Sequence, residues 1–142
     1  MIKLNSIAIV GLTAVLLAGC GSAAVTPAAG TGGTVKASLD EMMIHVDKTS
    51  VAAGQVTFVV KNTGAVAHEL VILRTDVAQD KIPAGTETVG KMDETGNLGE
   101  TGDIEAGASN TFTVSLAAGH YVLICNEVGH YTSGMHMTFT VN

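Results

Sequence analysis

Cys125, His130 and Met135 stand at intervals of five along one turn-rich stretch, Cys125-Asn126-Glu127-Val128-Gly129-His130-Tyr131-Thr132-Ser133-Gly134-Met135. A thiolate, an imidazole and a thioether spaced in this way on a glycine-punctuated loop can be folded around one point. Soft sulfur donors together with imidazole select copper among the common metals. Two His and one Cys in a trigonal arrangement with a long axial Met form the blue-copper donor set. The loop holds three of those four donors, so the second histidine has to come from elsewhere in the chain.

His68 is the natural donor. It lies in the stretch 67–74 (AHELVILR), shares one face of that strand-like run with Leu70 and Ile72, and follows an Asn62-Thr63-Gly64 turn. His120 opens the run that ends in Cys125, and at about 3.3 Å per residue five steps put it roughly 16 Å from the thiolate, too far to share a metal. His136 follows Met135 directly and, by strand alternation, points away from it as a surface residue. His45 precedes the Ala52-Ala53-Gly54 turn with no ligand spacing around it. Taken singly, Cys125 reads equally well as a small buried hydrophobe and Met135 as core filling. The joint spacing and the placed His68 favour the metal reading, with Met137 the alternative axial donor. Met42, Met43 and Met92 form no methionine-rich tract, and the acids between Asp93 and Glu105 lack an EF-hand register.

These residues must be positioned by strands. Seventeen glycines, two prolines and many Val and Thr residues suit short strands joined by turns. Strand-like stretches run over 35–39, 42–46, 55–61, 67–74, 110–116, 121–125 and 135–141, the last with Met135, Met137, Phe139 and Val141 as its inward set. Residues 75–107 are polar and acidic and read as a long irregular excursion holding at most one helical turn. About seven strands without a fixed repeat predict an all-β, antiparallel Greek-key β-sandwich.

The pattern FVVKNTGAVAHEL, followed far downstream by GHYVLICNEVGHYTSGM, resembles the cupredoxins, the small blue copper proteins that include plastocyanin, auracyanin, rusticyanin and sulfocyanin. The resemblance covers roughly residues 34–142, and the Cys-x4-His-x4-Met spacing is similar to the auracyanin and rusticyanin type. It implies one type 1 copper held by His68, Cys125, His130 and Met135, with His130 as the electron route. It also implies a monomeric electron carrier, not an enzyme, that meets a redox protein such as a cytochrome or an oxidase. A copper chaperone on the same fold is the alternative, and a metal-free adhesion module a more distant one. Many family members carry Asn directly after the strand histidine, where it ties the ligand loops; here Glu69 stands in that place.

The first residues read as an address. Lys3 precedes an apolar run over 7–18 that ends in Leu17-Ala18-Gly19-Cys20, the layout of a secretory signal peptide. The run falls short of the about 20 apolar residues that span a bilayer. Its end resembles the lipobox of bacterial lipoproteins, which implies a signal peptide over 1–19 and a lipidated Cys20. Residues 20–34 then form a flexible tether of small residues, and 35–142 the cupredoxin domain. The protein is expected to be exported and lipid-anchored on the extracytoplasmic (periplasm) side of a membrane, with both cysteines unpaired. Removing Lys3 with the leader takes the net charge from -6 to -7, which argues against nucleic acid as a partner.

Overall fold

The computed structural model describes residues 32–142. Among these, nine strands form two sheets. They are β1 (Gly33–Asp40), β2 (Met43–Val46), β3 (Ser50–Val51), β4 (Gly54–Asn62), β5 (Val71–Arg74), β6 (Asn97–Glu100), β7 (Ser109–Leu116), β8 (Gly119–Ile124) and β9 (His136–Val141). One sheet has the order β2-β1-β4-β7 and the other β3-β9-β8-β5-β6. The all-β sandwich expected from the sequence is therefore present, with one refinement: both sheets are mixed, because β1 pairs with β4 and β3 with β9 in parallel.

Alternation builds the interior. Val56, Phe58, Val60 and Asn62 of β4 are buried, while the residues between them are not. Val56, Phe58 and Val60 share one core cluster with Leu70 and with Ile72, Tyr121, Leu123, Phe139 and Val141 of the opposite sheet. β5 and β8 instead read as continuous apolar runs, because both of their faces are covered. On the outer face Val71, Leu73, Val122 and Ile124 form a second cluster with Ile82 and Tyr131.

That second cluster corrects the reading of residues 75–107. The segment contains no helical turn; it contributes β6, which pairs antiparallel with β5, and it carries Ile82 onto the outer face of the sheet. The run expected over 67–74 is also shorter than read. Only Val71–Arg74 is regular strand, and His68 is held by a single bridge to Ile104, with His68 N–H donating to Ile104 O at 3.1 Å and Ile104 N–H to His68 O at 2.7 Å.

Candidate metal centre

At one end of the sandwich the chain brings three of the four expected donors to one point. The Nδ1 atoms of His68 and His130 lie 3.2 Å apart, and Cys125 Sγ lies 3.3 Å from His130 Nδ1 and 3.9 Å from His68 Nδ1. The point equidistant from the corners of that triangle is about 2.0 Å from each, close to the ~2.0–2.1 Å of a metal–imidazole bond. His68 and Cys125 are fully buried, and His130 is half-buried. Two imidazole nitrogens and a thiol sulfur, all turned toward one point between secured loops, offer one lone pair each to a shared centre, so the donor set fits a metal ion. Its softness fits copper.

Met135 is fully buried in the same cluster as Cys125. The backbone closes the ligand loop onto itself. Cys125 N–H donates to Met135 O at 3.0 Å, Met135 N–H to His130 O at 3.1 Å, and His130 N–H to Glu127 O at 3.0 Å. A 3-10 turn, Tyr131–Ser133, follows His130, and Gly129 (φ 84°) and Gly134 (φ 108°) take the left-handed conformations that flank it. Tyr131 anchors this turn from below: its hydroxyl donates to Gln79 O and accepts from Ile82 N–H, both at 2.8 Å.

The His68 side is held by a residue that sequence reading took only for a turn former. Asn62 is fully buried; its Nδ2 donates to Val66 O and Ile104 O, both at 2.7 Å, and its Oδ1 accepts from Gly64 N–H at 2.9 Å. Gly64 has no side chain because there is no room for one. A Cβ there would sit 2.9 Å from His68 Nε2. On the other side Asn126, also buried, accepts from Met92 N–H at 2.6 Å and donates to Met92 O and Glu94 Oε1. Both asparagines were missed as site residues; the only signal was a polar residue at an otherwise apolar strand end.

Electrostatics suit metal-free storage of the donors. Burial, with His130 beside it, holds His68 below the usual histidine range, so the ring is a neutral ligand. Burial pushes the Cys125 thiol up to about 11, against the amides of Glu69 and Glu127, so the thiolate forms when a metal displaces its proton. Glu69 is buried too, and burial raises its carboxyl to about 7, with Lys91 acting in the opposite direction.

The other histidines lie elsewhere. His45 is exposed and faces Asp40 at 3.3 Å, and His120 is exposed. His136 does point away from the donor cluster, but it is not the free surface residue expected. It is half-buried with its ring 4.9 Å from that of Tyr131, because the loop folds back over that face of the sheet. Cys125 is an unpaired thiol, and Cys20 lies outside the described residues, as do the leader and most of the tether.

Solved structures with this fold include auracyanin from Roseiflexus castenholzii (26% identity, 78% of this chain and 97% of that one, TM-score 0.58). Auracyanin A from Chloroflexus aurantiacus, described as a blue copper protein, is similar to the same extent (25%, 78% and 100%, TM-score 0.58). Rusticyanin from Thiobacillus ferrooxidans shares the fold at 17% identity (78% of each chain, TM-score 0.60). No curated protein sequence matches. The sulfocyanin (SoxE) domain matches residues 23–142. The chain therefore belongs to the sulfocyanin domain family, among the blue copper cupredoxins.

Proposed function

We propose that this protein is an exported, membrane-tethered carrier of single electrons, in which His68, Cys125, His130 and Met135 would hold one type 1 copper. The observation that carries the reading is the convergence of two histidine Nδ1 atoms and one cysteine Sγ within 3.2–3.9 Å of one another. Bound copper would supply a Cu(II)/Cu(I) couple for one-electron exchange. The protein's own residues do the rest. The Asn62 and Asn126 hydrogen bonds fix the two ligand loops, and the apolar cluster around Leu70, Leu123 and Phe139 excludes water. His130, half-buried and the most accessible member of the donor set, gives a partner its shortest route to the centre.

Nucleophilic catalysis by Cys125 is disfavoured by its complete burial and by a thiol pushed up to about 11. Copper delivery is the second reading, and three fully buried donors make ligand exchange with another protein slow. Voltammetry of the copper-loaded protein in the presence of a Cu(I) chelator separates the two. A reversible one-electron wave with copper retained is expected; loss of Cu(I) to the chelator on reduction would favour delivery. The tether part of the proposal rests on Leu17-Ala18-Gly19-Cys20 and the small-residue stretch after it.

A further inference from the structure

A carboxylate placed in the interior directly beside a metal ligand needs a counter-charge. Glu69 has a side chain only 7% exposed, and its Oε1 makes no hydrogen bond. The cation facing it is Lys91, whose Nζ lies 3.6 Å from Glu69 Oε1 and 3.5 Å from Glu127 Oε1. A carboxylate oxygen of Asp103 belongs to the same group, within 4.8 Å of those of Glu69 and Glu127. One ammonium from the 75–107 segment thus stands between the residue after His68 and the second residue after Cys125. Burial by itself would lower Lys91, but Glu69 and Glu127 outweigh it and hold the ammonium above its ordinary range.

The backbone presents Lys91 to that position from both sides. Gly90 O accepts from Gly129 N–H at 3.3 Å, and a Cβ on Gly90 would lie 2.7 Å from Val128 Cγ1, so the chain before Lys91 packs directly on the ligand loop. Met92, after it, is clamped through both its N–H and its carbonyl by Asn126. Glu69 in turn donates its amide to Cys125 Sγ at 3.4 Å, so whatever fixes Glu69 also fixes the environment of the sulfur.

We propose that Lys91 is a positioning residue of the metal centre: shared between Glu69 and Glu127, it locks the His68 and Cys125 loops together and keeps the donors in place before metal arrives. The role rests on the copper reading only for what the loops hold, since the lock belongs to the metal-free protein.

The test uses the full chain with Lys91→Met and Lys91→Arg. The first readout is the rate at which iodoacetamide alkylates Cys125 in the copper-free protein, resolved from Cys20 by mass spectrometry; the urea midpoint is followed in parallel. Losing the counter-charge of a buried carboxylate opens the loops, so Lys91→Met should raise the alkylation rate about tenfold, with a much smaller change in global stability. Lys91→Arg should stay near the parent. Lys81→Met, at an exposed pair with Asp80, should change nothing. An unchanged rate in Lys91→Met, a rise no larger than global unfolding accounts for, or an arginine variant as reactive as the methionine one would overturn the proposal. The second readout is the visible spectrum after Cu(II) addition. A parent that never turns blue while Lys91→Met still opens the thiol would defeat the copper reading and leave the lock standing; a blue parent with unaltered alkylation would do the reverse.

Discussion

The amide of Glu69 donates a hydrogen bond to Cys125 Sγ across 3.4 Å, joining two residues 56 positions apart. Glu69 thereby links the segment carrying His68 to the Cys125 sulfur. The contact is made by backbone, so it does not depend on which side chain stands at position 69. Hydrogen bonds to the sulfur are one of the levers that set a copper site's potential.

Gly64→Ala should damage the centre without replacing a donor. Its Cβ would lie 2.9 Å from His68 Nε2 and 3.0 Å from Glu41 Oε1, and the ring cannot retreat through a packed core. The expected cost is about 1–3 kcal/mol of stability, together with weaker copper binding. Chemical denaturation and a competitive Cu(II) titration check it, and a variant as stable and as tight as the parent would show that the ring is free to move.

Met135→Gln should retain copper and lower the reduction potential, because a harder oxygen donor at the weak axial position stabilises Cu(II) over Cu(I). A tenfold change in relative affinity corresponds to about 59 mV for one electron, and a drop of at least that order is expected. Voltammetry of both proteins provides the check. An unchanged potential would transfer the axial role to Met137.

Tyr131→Phe removes the acceptor for the buried Ile82 amide and the donor to Gln79 O. Leaving a buried amide unpaired costs about 1–3 kcal/mol. Urea denaturation should register that loss, whereas the visible spectrum should keep its shape, because the hydroxyl anchors the turn from the side away from the donors.

Cys20→Ala should release the protein from membranes or block removal of its leader. Fractionation of cells expressing each form reads this directly, and equal membrane content in mutant and parent would reject lipidation at Cys20.

Much of this architecture was legible, for identifiable reasons. The alternation in β4 and β9 and the apolar run of β8 were readable because their side chains meet the core with the period the backbone imposes. The Cys125–Met135 loop was readable because all three of its candidate donors lie in one short stretch. β6 was hidden because its pattern is inverted: Leu98 is exposed, and Gly99 faces inward, where a Cβ would already lie 3.2 Å from the Phe112 ring. The parallel pairing of β1 with β4 had no local signature, since parallel and antiparallel neighbours share the same alternation. Asn62, Asn126 and Lys91 act through partners 22 to 42 positions away. No local pattern distinguishes such polar residues from loop residues in solvent.

The central claim is that His68, Cys125, His130 and Met135 hold one type 1 copper, and the most direct test is the visible absorption spectrum of the purified protein with Cu(II) added, run beside Cys125→Ser and His68→Gly. The parent should show the intense band of a Cu(II)–thiolate bond at one copper per chain. Cys125→Ser should remain folded and lose the band, and His68→Gly should lose it as well, while replacement of His45, His120 or His136 leaves it intact. A colourless parent, or a band that persists without the Cys125 sulfur, would contradict the account.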